Sequence, residues 1–167
     1  MGYAVFSCDE IYRELRGERE YVALLAEYFP ACVKDGAIDT RALSALVFAD
    51  GEARRKLNSL SHPLIMQRLM EKMKAHAVAF AEVPLLYEGG FEGLFDGTVA
   101  VLRDRASRLA AVADRDGFGE EEILARMAAQ ADERVYREKG AYIVVNEGSL
   151  DDLRKCAVEM TKFYKIG

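Results

Sequence analysis

The sequence of 167 residues has no tryptophan, three prolines, three cysteines and two histidines. Each scarcity excludes something. Cys8, Cys32 and Cys156 are odd in number, widely spaced and free of any Cys-x-x-Cys pair, which excludes a disulfide scaffold and points to reduced thiols in a cytoplasmic protein. His62 and His76 are too few and too far apart for a histidine metal site, so no metal ligands are assigned. A basic excess is also lacking. With 23 Lys and Arg against 28 Asp and Glu, the net charge is −5 and the pI near 5.2, which argues against nucleic-acid binding. No apolar run approaches the roughly 20 residues needed to cross a bilayer. The longest candidate, Ala77 to Leu86, is broken by Glu82 and Pro84, and no membrane partner is expected. Asp9, Glu10, Arg13 and Glu14 interrupt the start before a secretory apolar region can form, and Phe6 stands where a myristoylation signal needs Ser or Thr.

What is present is ordinary for a globular chain: 51% hydrophobic and 31% charged residues with 13 glycines, at a length that suits a single domain over 1–167. Tyr3 to Ser7 reads as a short buried strand. Helices follow over Glu10–Arg16 and Tyr21–Phe29, the second stopped by Pro30. Asp35-Gly36 marks a turn, and Asp39-Thr40 caps a helix that Asp50-Gly51 closes. A helical stretch over Glu52–Leu60 precedes Ser61-His62-Pro63, where Ser61 reads as the N-cap of a further helix with Pro63 in its first turn. The period then changes. Ala77–Val83 is a nearly continuous apolar run of strand length, with the pattern of a strand buried on both faces. Gly97–Leu102 and Ala141–Val145 are further strands, with helices over 105–114 and 120–129 between them and a helix capped by Ser149 after them. Strands alternating with helices predict an α/β fold with a parallel sheet.

Such sheets bind ligands outside the carboxyl ends of their strands, so the residues just after each strand are the candidates. These are Asp9, the run Pro84-Leu85-Leu86-Tyr87-Glu88, Arg103-Asp104, and Asn146-Glu147-Gly148-Ser149. A carboxylate there can act as a base, or the polar residues can simply cap the helices that follow. Seven arginines between Arg103 and Arg137 form a second constellation. Guanidinium forks suit phosphate oxygens, yet Glu120, Glu121 and Glu122 can equally serve as partners on a solvated helical pair. The cluster Gly89-Gly90-Phe91-Glu92-Gly93 lacks a lysine and reads as a flexible loop rather than a phosphate loop.

The run Ser7-Cys8-Asp9-Glu10-Ile11-Tyr12-Arg13-Glu14-Leu15 resembles the Asp-Ala-Asp-x-Ile-x-Arg-x-Leu segment of dephospho-CoA kinases. Asp35-Gly36 through Asp50, Leu57 through Ile65, and Pro84-Leu85-Leu86-Tyr87-Glu88 resemble that family's next blocks in order. Arg115-Asp116-Gly117 with Arg126 and Gln130 is similar to its lid, and Val145-Asn146-x-Gly148-Ser149 to its adenine-side loop. The resemblance implies a P-loop kinase-like three-layer fold, with a helical CoA-binding insertion over 22–76 and lid-like helices over 104–139. It implies transfer of the γ-phosphoryl of ATP, with Mg²⁺, to the ribose 3′-hydroxyl of dephospho-CoA in coenzyme A biosynthesis. Asp9 would be the catalytic base and Arg115 a catalytic lid arginine. Arg13, Leu85, Leu86, Tyr87 and Glu88 would bind substrate, while Arg126 and Asn146 would face the nucleotide.

Two departures stand out. Ser7 replaces the first aspartate of the family's Asp-x-Asp. No Gly-x-x-x-x-Gly-Lys-Ser/Thr occurs, and the sequence contains no Gly-Lys dipeptide. In the family that loop and the strand before it lie upstream of the Asp-x-Asp segment, so a βα unit of roughly 25 to 30 residues is expected to be missing. With the family's strand order of 2-3-1-4-5, the missing strand would be the central one. The expectation is a kinase inactive as it stands; the alternative is a non-catalytic CoA- or nucleotide-binding module, or one completed by a partner.

Overall fold

A computed structural model describes residues 2–117, 119–128, 130 and 132–166, without the side chains of Asp116 and Arg126. The chain divides into two compact units, Met1–Pro84 and Leu85–Gly167.

In the first unit, β1 (Ala4–Ser7) leads directly into α1 (Cys8–Leu15), followed by α2 (Arg19–Tyr28). A 3-10 turn over Pro30–Cys32 then feeds a small hairpin of β2 (Val33–Lys34) and β3 (Ala37–Ile38). Asp35 and Gly36 at its tip both take positive φ, 51° and 74°, the left-handed pair that a two-residue hairpin turn requires. Next come α3 (Thr40–Ala49), α4 (Gly51–Met73) and β4 (Ala79–Glu82). β4 pairs with β1 in parallel, from Ala4 opposite Ala79 to Ser7 opposite Glu82. Ile11 and Leu15 of α1, Tyr21 and Leu25 of α2 and Leu69 of α4 are the most deeply buried described residues of this unit and form its core. Burial of their side chains, at about 1.5–3 kcal/mol each, is what holds the helices together.

α4 corrects the sequence reading. Ser61 does not start a helix; one helix runs from Gly51 to Met73 with Pro63 inside it. The cap is Asp50, whose Oδ1 accepts from the N–H groups of Glu52 (2.7 Å) and Ala53 (3.2 Å). Ser61 is buried, and its hydroxyl donates to the Leu57 carbonyl (2.8 Å) while accepting from the Tyr21 hydroxyl (2.6 Å). With its hydroxyl satisfied inside the helix, Ser61 has no capping role to play. Proline is tolerated because Ile65, Met66 and Leu69 continue the buried face past it, and that burial offsets the missing backbone bond. β4 is also less enclosed than its composition indicates: its residues are half-buried, and Glu82 is exposed.

In the second unit, β5 (Val99–Leu102) and β6 (Tyr142–Val145) pair in parallel, from Val99 opposite Tyr142 to Leu102 opposite Val145. Between them lie α5 (Arg105–Asp116), α6 (Glu120–Ala128) and α7 (Glu133–Glu138); α8 (Leu150–Phe163) follows β6. Gly117 closes α5 at φ 67°, donating its N–H to Ala113, as a left-handed C-terminal glycine does. Among the described residues β4 and β5 each have one strand partner. No helix among the described residues is long and apolar enough to cross a membrane.

Candidate active site

Asp9 lies in the first turn of α1, two residues beyond the last residue of β1, so it stands at the carboxyl end of a parallel strand. Arg13 follows one helical turn later, on the same face, and both side chains are exposed. Ser7 occupies the N-cap position of α1 without a side-chain capping bond. Buried Cys8 sits between Asp9 and the strand end, and its thiol is pushed up from the usual 9.0 to about 11. Burial is the main cause, and the negative charges of Asp9 and Glu82 add to it. Glu82, opposite Ser7 in the register, was not among the residues singled out from sequence. Its signal was available only as the last residue of an apolar strand.

The raised thiol has a measurable consequence. The thiolate is the nucleophile, so at pH 8 iodoacetamide should label half-buried Cys156 well before Cys8. Cys8 stays protonated in the fold where the unfolded thiol would ionise. Its contribution to stability is therefore complete below pH 9 and is lost as pH rises through about 11. Labelling of Cys8 as fast as Cys156 in the native protein would overturn this.

In the second unit, Leu85 to Gly90 form a hydrogen-bonded turn. Phe91 N–H donates to the Leu86 carbonyl (3.0 Å) and Gly90 N–H to that of Tyr87 (3.2 Å), with Gly90 at φ 70°. This is the bonding that ends helices at a left-handed glycine. Leu85 is itself at φ 57° and exposed, a conformation that costs a non-glycine residue of order 1–3 kcal/mol and tends to be kept at functional sites. Tyr87 is pinned twice. Its hydroxyl bonds Thr98 Oγ1 (2.7 Å), and its ring lies against Tyr136 with centroids 5.1 Å apart. Glu88 is exposed and lies near enough to Tyr136 to raise that phenol, an effect secondary to burial. Thr98 is thus a support for Tyr87 that sequence reading missed, because a threonine read as part of the strand Gly97–Leu102 carries no sign of a side-chain partner.

Asn146 is held at the carboxyl end of β6 by its N–H, which donates to the Leu102 carbonyl (2.7 Å) and extends the ladder by one residue. The loop after it is fixed by a capping box: Ser149 Oγ accepts from Asp152 N–H (3.3 Å), and Ser149 N–H donates to Asp152 Oδ2 (3.1 Å). Ser149→Ala should therefore cost about 1 kcal/mol in urea unfolding, since one end of the reciprocal pair disappears. No measurable loss would show that the box does not order this loop. Arg115 sits exposed in the last turn of α5. Arg126 belongs to α6, but its side chain lies outside the described residues. Among the described residues no group of three or more His, Cys, Asp or Glu could hold a metal ion. Asp9 and Arg13 thus belong to the first unit, and Leu85–Glu88, Arg115 and Asn146 to the second.

Parallel strand pairs followed by helices define an α/β protein with the P-loop kinase fold. Solved structures agree. One from Thermus thermophilus superposes with a TM-score of 0.84 at 35% identity, covering 99% of this chain and 86% of that one. The dephospho-CoA kinase from Campylobacter jejuni superposes with a TM-score of 0.67 at 25% identity, covering 96% and 84%. The dephospho-CoA kinase of Thermus thermophilus is 36% identical over 156 residues, 92% of this chain and 76% of its own length. That of Anaeromyxobacter dehalogenans is 40% identical over 126 residues, 71% of this chain and 59% of its own. The family model for dephospho-CoA kinase matches residues 1–152. The chain belongs to the dephospho-CoA kinase family.

Proposed function

We propose that this chain takes part in ATP-dependent phosphorylation of the ribose 3′-hydroxyl of dephospho-CoA, with Asp9 as the base. The observation that supports this most is the placement of Asp9 at the carboxyl end of β1 with Arg13 one turn further on α1. Phosphoryl transfer asks little covalent chemistry of a protein. It asks that the attacking oxygen be oriented and that charge be neutralised. A carboxylate anchored at a strand end meets the first demand by accepting the 3′-hydroxyl proton as the oxygen attacks. Arg13 would pair with a substrate phosphate, and Leu85, Leu86, Tyr87 and Glu88 would be further substrate-binding residues. Arg115 and Arg126 would offset negative charge on the transferring group, and Asn146 would lie beside the nucleotide base.

These residues do not by themselves fit the triphosphate end of ATP, because the sequence has no Gly-Lys dipeptide to supply the lysine of a phosphate loop. The 167 residues alone are therefore expected to bind dephospho-CoA without turning it over. Fusing a strand, Gly-x-x-x-x-Gly-Lys-Ser loop and helix from a relative ahead of Met1 should give CoA formation. Turnover by the unfused chain at a relative's rate would refute the need for the loop. A fused chain that binds dephospho-CoA but never phosphorylates it would refute the kinase reading in favour of a binding module.

A further inference from the structure

A cavity of about 190 Å³ lies wholly within the first unit, among α1, α3 and α4. Part of its lining is apolar, from Leu43, Val47 and Leu57. The rest is polar: Tyr12 and Arg16 from the end of α1, with exposed Thr40 and Ser44 at the rim. Among the described cations of this unit, Arg16 is the one whose side chain holds a buried nitrogen with no hydrogen-bond partner. Arg68 pairs with Glu18 and Lys72 with Glu14, but Arg16 forms no ion pair among the described residues. Its Nε is buried with no hydrogen-bond partner. Its guanidinium carbon stands 5.1 Å from the Tyr12 ring centroid, so the fork is oriented by an aromatic face while its donors remain unanswered by any carboxylate.

A buried donor without an acceptor is costly, and a cationic one more so. A ligand that brings an anionic oxygen to Arg16 removes that cost. The apolar wall asks in addition for a compact branched hydrocarbon beside the anion. An aromatic base would compete with Arg16 for the Tyr12 face, and the volume suits a fragment rather than a whole coenzyme. In dephospho-CoA these two chemistries meet at one place, the pantoyl segment, where a phosphate ester adjoins a carbon bearing two methyl groups. We propose that the cavity seats this segment, with Arg16 donating to the phosphate and Leu43, Val47 and Leu57 receiving the methyl groups. Arg16 is then a specificity residue for the acceptor, distinct from Arg13 on the exposed face of the same helix. This assignment rests on the reading of dephospho-CoA as the substrate.

Calorimetric titration of the 167-residue chain with dephospho-CoA, 4′-phosphopantetheine, AMP and inorganic phosphate tests it. Arg16→Ala should weaken dephospho-CoA and 4′-phosphopantetheine about tenfold or more and leave AMP unchanged, since a charge-assisted hydrogen bond is lost from one segment only. Arg16→Lys should recover part of the loss. Val47→Trp, which fills the cavity while keeping Arg16, should weaken the same two ligands. Thermal melts of the variants establish that each is folded. Retained dephospho-CoA binding with unmoved affinity in Arg16→Ala overturns the assignment alone. Inorganic phosphate binding as tightly as 4′-phosphopantetheine overturns the role of the apolar wall. Failure of the unsubstituted chain to bind dephospho-CoA overturns the substrate reading and this assignment with it.

Discussion

Asp9→Asn, in the chain supplied with a phosphate loop, is expected to lower kcat for CoA formation by roughly 10²–10⁴-fold, the range that a positioned base supplies. The affinity for dephospho-CoA should stay within about twofold. Asparagine keeps the shape of the side chain and can still hydrogen-bond a hydroxyl, but it cannot take the proton. Little of the fold depends on the lost charge. Asp9 is exposed, and α1 is held by Cys8, Ile11 and Leu15 on its other side. The charge it removes from the surroundings of Cys8 is not the main cause of that thiol's raised value, so Cys8 should remain slow to alkylate. The split between kcat and affinity is what makes the experiment decisive. A residue that only bound substrate would raise KM with kcat intact, and a residue that only supported α1 would lower both along with stability. Activity near that of the unsubstituted enzyme would remove Asp9 as the base.

Much of the framework was legible in the sequence because it rests on local rules. Apolar runs of strand length gave the four long strands, and Asp39, Asp104 and Ser149 cap helices as residues of those types do. What escaped notice depends on distant partners or on very short elements. The hairpin strands are two residues each, too short for alternation to register, and α7 is six residues of mostly charged sequence. Ser61 before His62-Pro63 carries every local mark of a helix start. It is interior to α4 because Tyr21, 40 residues away, supplies its bond. The candidate site divides in the same way. Asp9, the Leu-Leu-Tyr-Glu turn and Asn146 follow strands and were found by that placement. Thr98 and Arg16 matter only through what tertiary structure brings to them, Tyr87 in one case and a cavity in the other.

Gly97→Ala is expected to destabilise the second unit by about 2–4 kcal/mol, an unusually large effect for one methyl group. A Cβ built at Gly97 would stand 2.3 Å from Tyr164 Cε1, 2.7 Å from Cζ and 2.9 Å from Cδ1. These are atoms of a rigid ring, and the ring is not free to yield. Its hydroxyl donates to the Thr98 carbonyl at 2.8 Å, and it packs edge-on to Phe163, with centroids 5.0 Å apart, and near Tyr142 at 6.3 Å. Accommodating the methyl group means expelling the ring. The hydrogen bond is lost at about 0.5–1.5 kcal/mol, the aromatic contacts at a similar amount, and the buried ring area adds the remainder. Thr98 is not orphaned by this, because its carbonyl also accepts from Tyr142 N–H at 2.8 Å, so the cost stops short of unravelling the β5–β6 ladder. A double-mutant cycle isolates the cause. Tyr164→Ala alone should be costly for the same lost contacts, and adding Gly97→Ala to it should cost little more, because the ring that clashes is already gone. Additive losses in urea unfolding would show that Gly97 acts through its backbone rather than through Tyr164, and would overturn the steric account.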